Sequence, residues 1–149
     1  MAIARGAGTE IIRSAHFEDI TDDVQILIEG VQHHIYTVLS IVIFANAVNS
    51  NASNAQIYLV GYDSFGGTSG QNIELFYAEP QISETFVWSD KFSFNGCEPT
   101  DFSGAMDSAA DQDLIADQAV ATSQVLRLAP SNASDDYNVI VTFIDQNNA

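Results

Sequence analysis

A chain of 149 residues with twenty acidic side chains against four basic ones carries a formal charge of -16. That field repels nucleic acid, whose binding needs Lys and Arg to displace phosphate counterions, and it favours solubility over non-specific contact. The single cysteine, Cys97, excludes an internal disulfide framework and a thiolate zinc cluster, while a hydrophobic fraction of 46% suffices for one folded core at this length.

The first nine residues are small and glycine-containing, without the continuous apolar run of a signal peptide, and read as an extended N-terminal arm. Glu10 to Phe17 is the first candidate strand. An acidic turn with Asp22 and Asp23 leads into a second, Val24 to Glu29. His34 to Val48 is the most apolar stretch; it is too short for the ~20 residues that span a bilayer and rich in β-branched residues, so it predicts a long strand, bent or bulged near Ser40. Asn49 to Asn54 is a polar loop. Gln56 to Tyr62 alternates, with Ile57 and Leu59 on one face and Tyr58, Val60 and Tyr62 on the other. The glycine-rich stretch Asp63 to Gly70 returns the chain into Ile73 to Ala78 as a hairpin. Glu84 to Phe94 alternates again, its aromatics Phe86, Trp88, Phe92 and Phe94 bracketing a turn at Ser89 to Lys91. Between Asp107 and Val120 the spacing becomes helical, with Asp107 or Ser108 as cap, and a short helix or a structured loop is expected there. Val125 to Leu128 and Tyr137 to Ile144 complete the strands. About eight strands with frequent turns predict a single all-β domain over residues 1–149, a β-sandwich of jelly-roll type.

The residues that could carry chemistry have structural readings that compete with it. His33 and His34 would point to opposite faces of a strand, and their spacing from His16 supports no shared metal. Asp111, Asp113 and Asp117 begin like a calcium loop but lack its glycine and its distal glutamate. With twenty acids, a glycosidase-like carboxylate pair means nothing without a cleft. Gly66-Gly67 lacks the lysine of a phosphate loop, and no Gly-x-Ser-x-Gly elbow is present. Asn51-Ala-Ser53 and Asn132-Ala-Ser134 read as polar loop tips, Cys97 as a buried inert thiol, and the aromatics around Trp88 as core. No catalytic residue, metal site or cofactor is expected.

Four stretches resemble a known group: Met1-Ala-Ile-Ala-Arg-Gly-Ala-Gly-Thr-Glu-Ile-Ile-Arg13 with His16-Phe-Glu-Asp19, then Gln32 to Val38, Glu84 to Asn95 and the ending Phe143 to Ala149. They are similar to small virion structural proteins of tailed bacteriophages, particularly of marine and aquatic hosts. The resemblance implies a virion component and supplies no functional residues. With the acidic charge and the arm, it leads to the expectation of a non-enzymatic capsid decoration, or cement, protein. Such a protein would be made in the host cytoplasm and lie on the capsid exterior. It would bind the major capsid protein and its own copies, as a trimer, and neither nucleic acid nor membrane. Ile3, Arg5 and Arg13 are the residues expected to contact a partner. The alternative is a receptor- or glycan-binding module of a head or tail fibre, using Trp88 or Tyr58, Tyr62 and Tyr77.

Overall fold

The computed structural model describes residues 8–21, 23–61, 72–97 and 123–148. Among them lie nine strands: β1 (Thr9–Ile20), β2 (Gln25–Glu29), β3 (His34–Ala47), β4 (Ala55–Val60), β5 (Asn72–Ala78), β6 (Thr85–Trp88), β7 (Phe92–Asn95), β8 (Val125–Pro130) and β9 (Asp136–Asn147). One sheet runs β1-β9-β3, with β6 and β7 both on the far side of β3; the other runs β2-β8-β4-β5. Every pairing is antiparallel. The partners nest: β1 with β9, β2 with β8, β3 with β6 and β7, β4 with β5. Such nesting is a long hairpin folded over on itself, the wiring of a jelly roll, and it bears out the expected all-β sandwich.

The long third strand shows how sequence phase sets this architecture. Tyr36 and Val38 are buried at even positions, then Ile41, Ile43 and Ala45 at odd ones. A register shift between Val38 and Ser40 absorbs the change of parity, and without it half the strand would turn its apolar row to water. The same irregularity explains why Glu84 to Phe94 forms two strands rather than one. β6 pairs with Ile41 to Phe44 and β7 with Ile35 to Val38, on either side of the bulge, so the count is nine. In β9 the inward row is Tyr137, Val139, Val141, Phe143 and Asp145. These rows meet Ala55, Ile57 and Leu59 of β4 and Leu126 and Leu128 of β8 in one core. Each fully buried Ile, Leu or Val there contributes ~1.5–3 kcal/mol of burial.

Two polar devices close the ends of the sandwich. Asp135, fully buried, accepts from the Asn49 N–H at 2.8 Å and from the Ser131 hydroxyl at 3.0 Å, tying the β3–β4 loop to the β8–β9 loop. Burial, then the charge of Asp135, pushes the phenol of neighbouring Tyr137 up to about 12. At the other end, Gly30 N–H donates to Gln124 O (2.8 Å), Gln124 N–H to Gly96 O (2.9 Å) and Gly96 N–H to His34 O (2.7 Å). The backbones approach so closely that a Cβ on Gly30 would overlap Gly96 O, and one on Gly96 would overlap Val31 O.

Several expectations shift in detail. Gly8 N–H already bonds Asn147 O, and Thr9 belongs to β1, so the sheet begins inside the expected arm. His33 lies in a turn with φ 66° rather than in the strand that His34 opens. Cys97 is half-buried rather than buried and bridges to Ser123. The expected helix over 107–120, the 63–70 loop, Tyr62, Ile3, Arg5 and the Asp111, Asp113 and Asp117 cluster lie outside the described residues.

Candidate functional site

The two edges of the sandwich are built differently. At the edge formed by β5 and β6, Phe76 stacks on Trp88 with centroids 4.2 Å apart and planes within 6°, and meets Phe86 at 5.7 Å, closing the gap between sheets. At the edge formed by β1 and β2 no such aromatic stack is found among the described residues. β1 is 12 residues long and β2 only 5, so among the described residues much of the inward row of β1 has no strand opposite it. A cleft of about 490 Å³ opens there. Its floor is Phe143, Tyr36 and Phe17, its far wall Leu27, Ile28 and Val31, and its polar groups are Arg13, Glu29, His34 and Asp145.

Asp145 organises those groups. It continues the inward row of β9 and is 2% exposed, so its charge needs partners. His34 Nδ1 lies 2.7 Å from Oδ1, and Arg13 Nη1 lies 3.5 Å from Oδ2. The Arg13 guanidinium also sits 5.7 Å from the centroid of Phe143, its cross-strand partner, in a cation–π arrangement. Behind this pair, Tyr36 stacks on His34 and on Phe94, and its hydroxyl accepts from the Val31 N–H at 3.1 Å. Burial raises the Tyr36 phenol above its ordinary pKa, the Val31 hydrogen bond only partly opposing it.

This arrangement is suited to holding a charged partner. Arg13 contacts Asp145 through Nη1 while its side chain remains 57% exposed, and a guanidinium carries more N–H donors than this one contact uses. His34 is oriented by Asp145, but Ser14, the hydroxyl residue beside it in the cleft lining, faces the other side of the sheet and bonds Thr142 at 3.1 Å. Of the expected contact residues, the described structure places Arg13 at this cleft, on β1. His16 lies on the outer face of β1, 3.8 Å from Glu18, and is not brought to His34; among the described residues no three His, Cys, Asp or Glu side chains gather for a metal.

Sequence reasoning missed Asp145 and Glu29. The signal for Asp145 was present: the odd positions 137, 139, 141 and 143 all face inward, so 145 must follow them. Trp88 is half-buried and packs on the core rather than standing as a platform. Tyr58 faces outward on the second sheet, in a groove of about 350 Å³ with Gln56, Asn72, Glu74 and Ala129. Arg127 and Glu74 flank it in register.

No family model and no curated protein matches this sequence. Among solved structures, one from work on Bacillus endospore appendages that form disulfide-linked pili is similar over 100% of this chain and 97% of its own. The identity is 10% and the TM-score 0.42, a likeness too slight to carry an argument.

Proposed function

We propose that this chain is a non-enzymatic virion structural protein, a capsid decoration protein that stabilises an assembled phage head from outside. The observation that carries the reading is the site at the β1 edge. Arg13 stands on β1, the strand that follows the expected arm, braced by Asp145 while its side chain is 57% exposed. Ile3, Arg5 and Arg13 would then act together on an acidic groove of the major capsid protein. A charge of -16 keeps the rest of the molecule away from packaged DNA. A protein that binds only the assembled lattice shifts the equilibrium against disassembly, and many copies on a rigid shell make modest interfaces sufficient.

The test is occupancy on heads of the phage that encodes the chain. Deleting residues 1–7, or replacing Arg13 by Ala, should leave the fold intact and reduce the bound copies. Unchanged occupancy in both variants would remove this edge from the function.

The Tyr58 groove favours a second reading, a glycan-binding module. An outward tyrosine ringed by amide, carboxylate and guanidinium groups supplies both a stacking face and hydrogen-bond partners for a sugar. Saturable binding to a glycan array, lost in Tyr58→Ala, would support it over decoration.

A further inference from the structure

A solvated antiparallel sheet usually turns polar side chains outward. The outer face of the first sheet departs from this pattern. Its strands β3, β6 and β7 contain no Asp, Glu, Lys or Arg at all, and the outward residues of β9 from Asn138 to Gln146 are uncharged. Among the described strand residues, acids flank this face only at its margin: Glu10, Glu18 and Asp19 towards the ends of β1, and Asp136, which opens β9. The outer face of the second sheet, by contrast, carries Arg127 and Glu74 in register with Tyr58.

The centre of the uncharged face is apolar. Val42 of β3 has Val87 of β6 on one side and Ile140 of β9 on the other, in register, and Phe44 follows two residues on. Val87 is 57% exposed and Ile140 41%. Around them the polar groups satisfy one another within the face: Ser14 bonds Thr142 at 3.1 Å, Thr37 bonds Ser93 at 2.9 Å, and Asn46 Nδ2 donates to Asn138 Oδ1 at 2.8 Å. Groups that keep such partners lose water at little cost. Along β9 from Asn138 to Gln146 at ~3.4 Å per residue, and across four strands at ~4.8 Å each, the face measures roughly 30 by 19 Å. That is about 600 Å² per copy, so two copies would bury about 1,200 Å², where stable specific interfaces begin.

We propose that this face is a two-fold interface with a second copy of the chain, the two sheets packed face to face. Charge selects the occupant. Two molecules of -16 repel through any surface that brings their carboxylates together. Here a broad uncharged face meets its own like, and Glu10, Glu18, Asp19 and Asp136 stay at a wetted rim, the arrangement in which interface cores exclude charge. A cationic partner would find no acid in the middle of the face to pair with. Arg13 and its cleft lie on the other side of β1, so the head-binding edge stays open in the dimer, and this contact is independent of the head-binding reading. An isologous contact closes at two copies, which makes the dimer an alternative to the expected trimer.

Two double variants of equal charge test it. Val87→Lys with Ile140→Lys reduces the net negative charge, which weakens general repulsion, yet places unpaired cations inside the contact. Ile26→Lys with Tyr77→Lys makes the same change of charge on the outer face of the second sheet. All four side chains are exposed, so folding is expected to survive, checked by circular dichroism and melting temperature. Val87→Lys alone, at the more exposed position, takes the place of the first double variant should that one unfold. Sedimentation equilibrium and native mass spectrometry at about 0.3 M salt, where the Debye length is ~6 Å, report the association. Wild type should be a dimer, the second-sheet variant should pair at least as tightly, and the Val87 and Ile140 variant should pair roughly a hundredfold more weakly. A strictly monomeric wild type would leave the face to another partner and overturn the proposal. So would a trimer or an open chain, a Val87 and Ile140 variant that pairs like the wild type, or an equal loss in the second-sheet variant. No capsid is present in this measurement, so its failure is distinct from a failure of head binding.

Discussion

Replacing Asp145 by Ala tests whether the cleft is organised as described. The carboxylate is 2% exposed and holds His34 at 2.7 Å, a charge-assisted geometry worth ~1.5–3 kcal/mol. Its contact with Arg13 is longer, 3.5 Å, and the Arg13 side chain is 57% exposed, so solvent screening limits that pair to ~1 kcal/mol or less. Asp145→Ala should therefore cost ~2–4 kcal/mol, lowering the melting temperature by ~5–12 °C for a chain of this size. Urea unfolding followed by Trp88 fluorescence reports it well, since the sole tryptophan lies at the far edge and senses global unfolding. Double-mutant cycles separate the two pairs: coupling of Asp145 with His34 should exceed ~1.5 kcal/mol, and coupling with Arg13 should stay below ~1 kcal/mol. A neutral Asp145→Ala, or a coupling to Arg13 larger than that to His34, would refute this account of the site.

Ile41→Ala, at a fully buried position beside the β3 bulge, should cost ~2–5 kcal/mol by denaturant titration. Gly96→Ala should cost ~3 kcal/mol or more, because the new methyl group meets the Val31 carbonyl rather than a side chain that can move. The Tyr137 phenol is neutral in the fold and ionises more readily in the unfolded chain, whose phenols titrate near ~10. Its contribution to stability is thus whole below pH ~10 and falls by a few kcal/mol at most as pH rises towards the folded value of about 12. Tyr137→Phe should flatten that part of the alkaline loss, leaving the smaller one from Tyr36, as read by melting temperature across pH.

The sandwich was legible because the chain states its phase repeatedly. Ile57 and Leu59, then Tyr137, Val139, Val141 and Phe143, alternate with polar residues, and polar clusters mark the loops between them. The irregularity near Ser40 was visible too, as a change of parity between Val38 and Ile41. What the sequence hid was long-range. That β1 pairs with β9, 128 positions apart at Ser14 and Thr142, decides that Arg13 and Asp145 meet, and local pattern carries no such information. From sequence alone β1 and β2 read as similar in length, Glu10 to Phe17 and Val24 to Glu29, whereas the structure has 12 and 5 residues. That inequality opens a cleft only because the two strands share an edge. Arg13 was singled out for its rarity as a cation and turned out to border that cleft. Asp145 was passed over because the expected strand ended at Ile144, one residue short of the next inward position in the row of Tyr137, Val139, Val141 and Phe143.

The central claim, that this chain reinforces an assembled head from outside, is tested most directly by reconstructing heads of the encoding phage with and without it, alongside their disassembly temperatures. The account predicts density for the sandwich on the outer shell, with the β1 edge and leader against the capsid lattice. It also predicts a higher disassembly temperature for decorated heads, and occupancy that rises with added salt, because screening the repulsion between copies of charge -16 outweighs weakening the few contacts through Arg5 and Arg13. Density confined to the tail or its fibres, or heads whose stability ignores the protein, would contradict it.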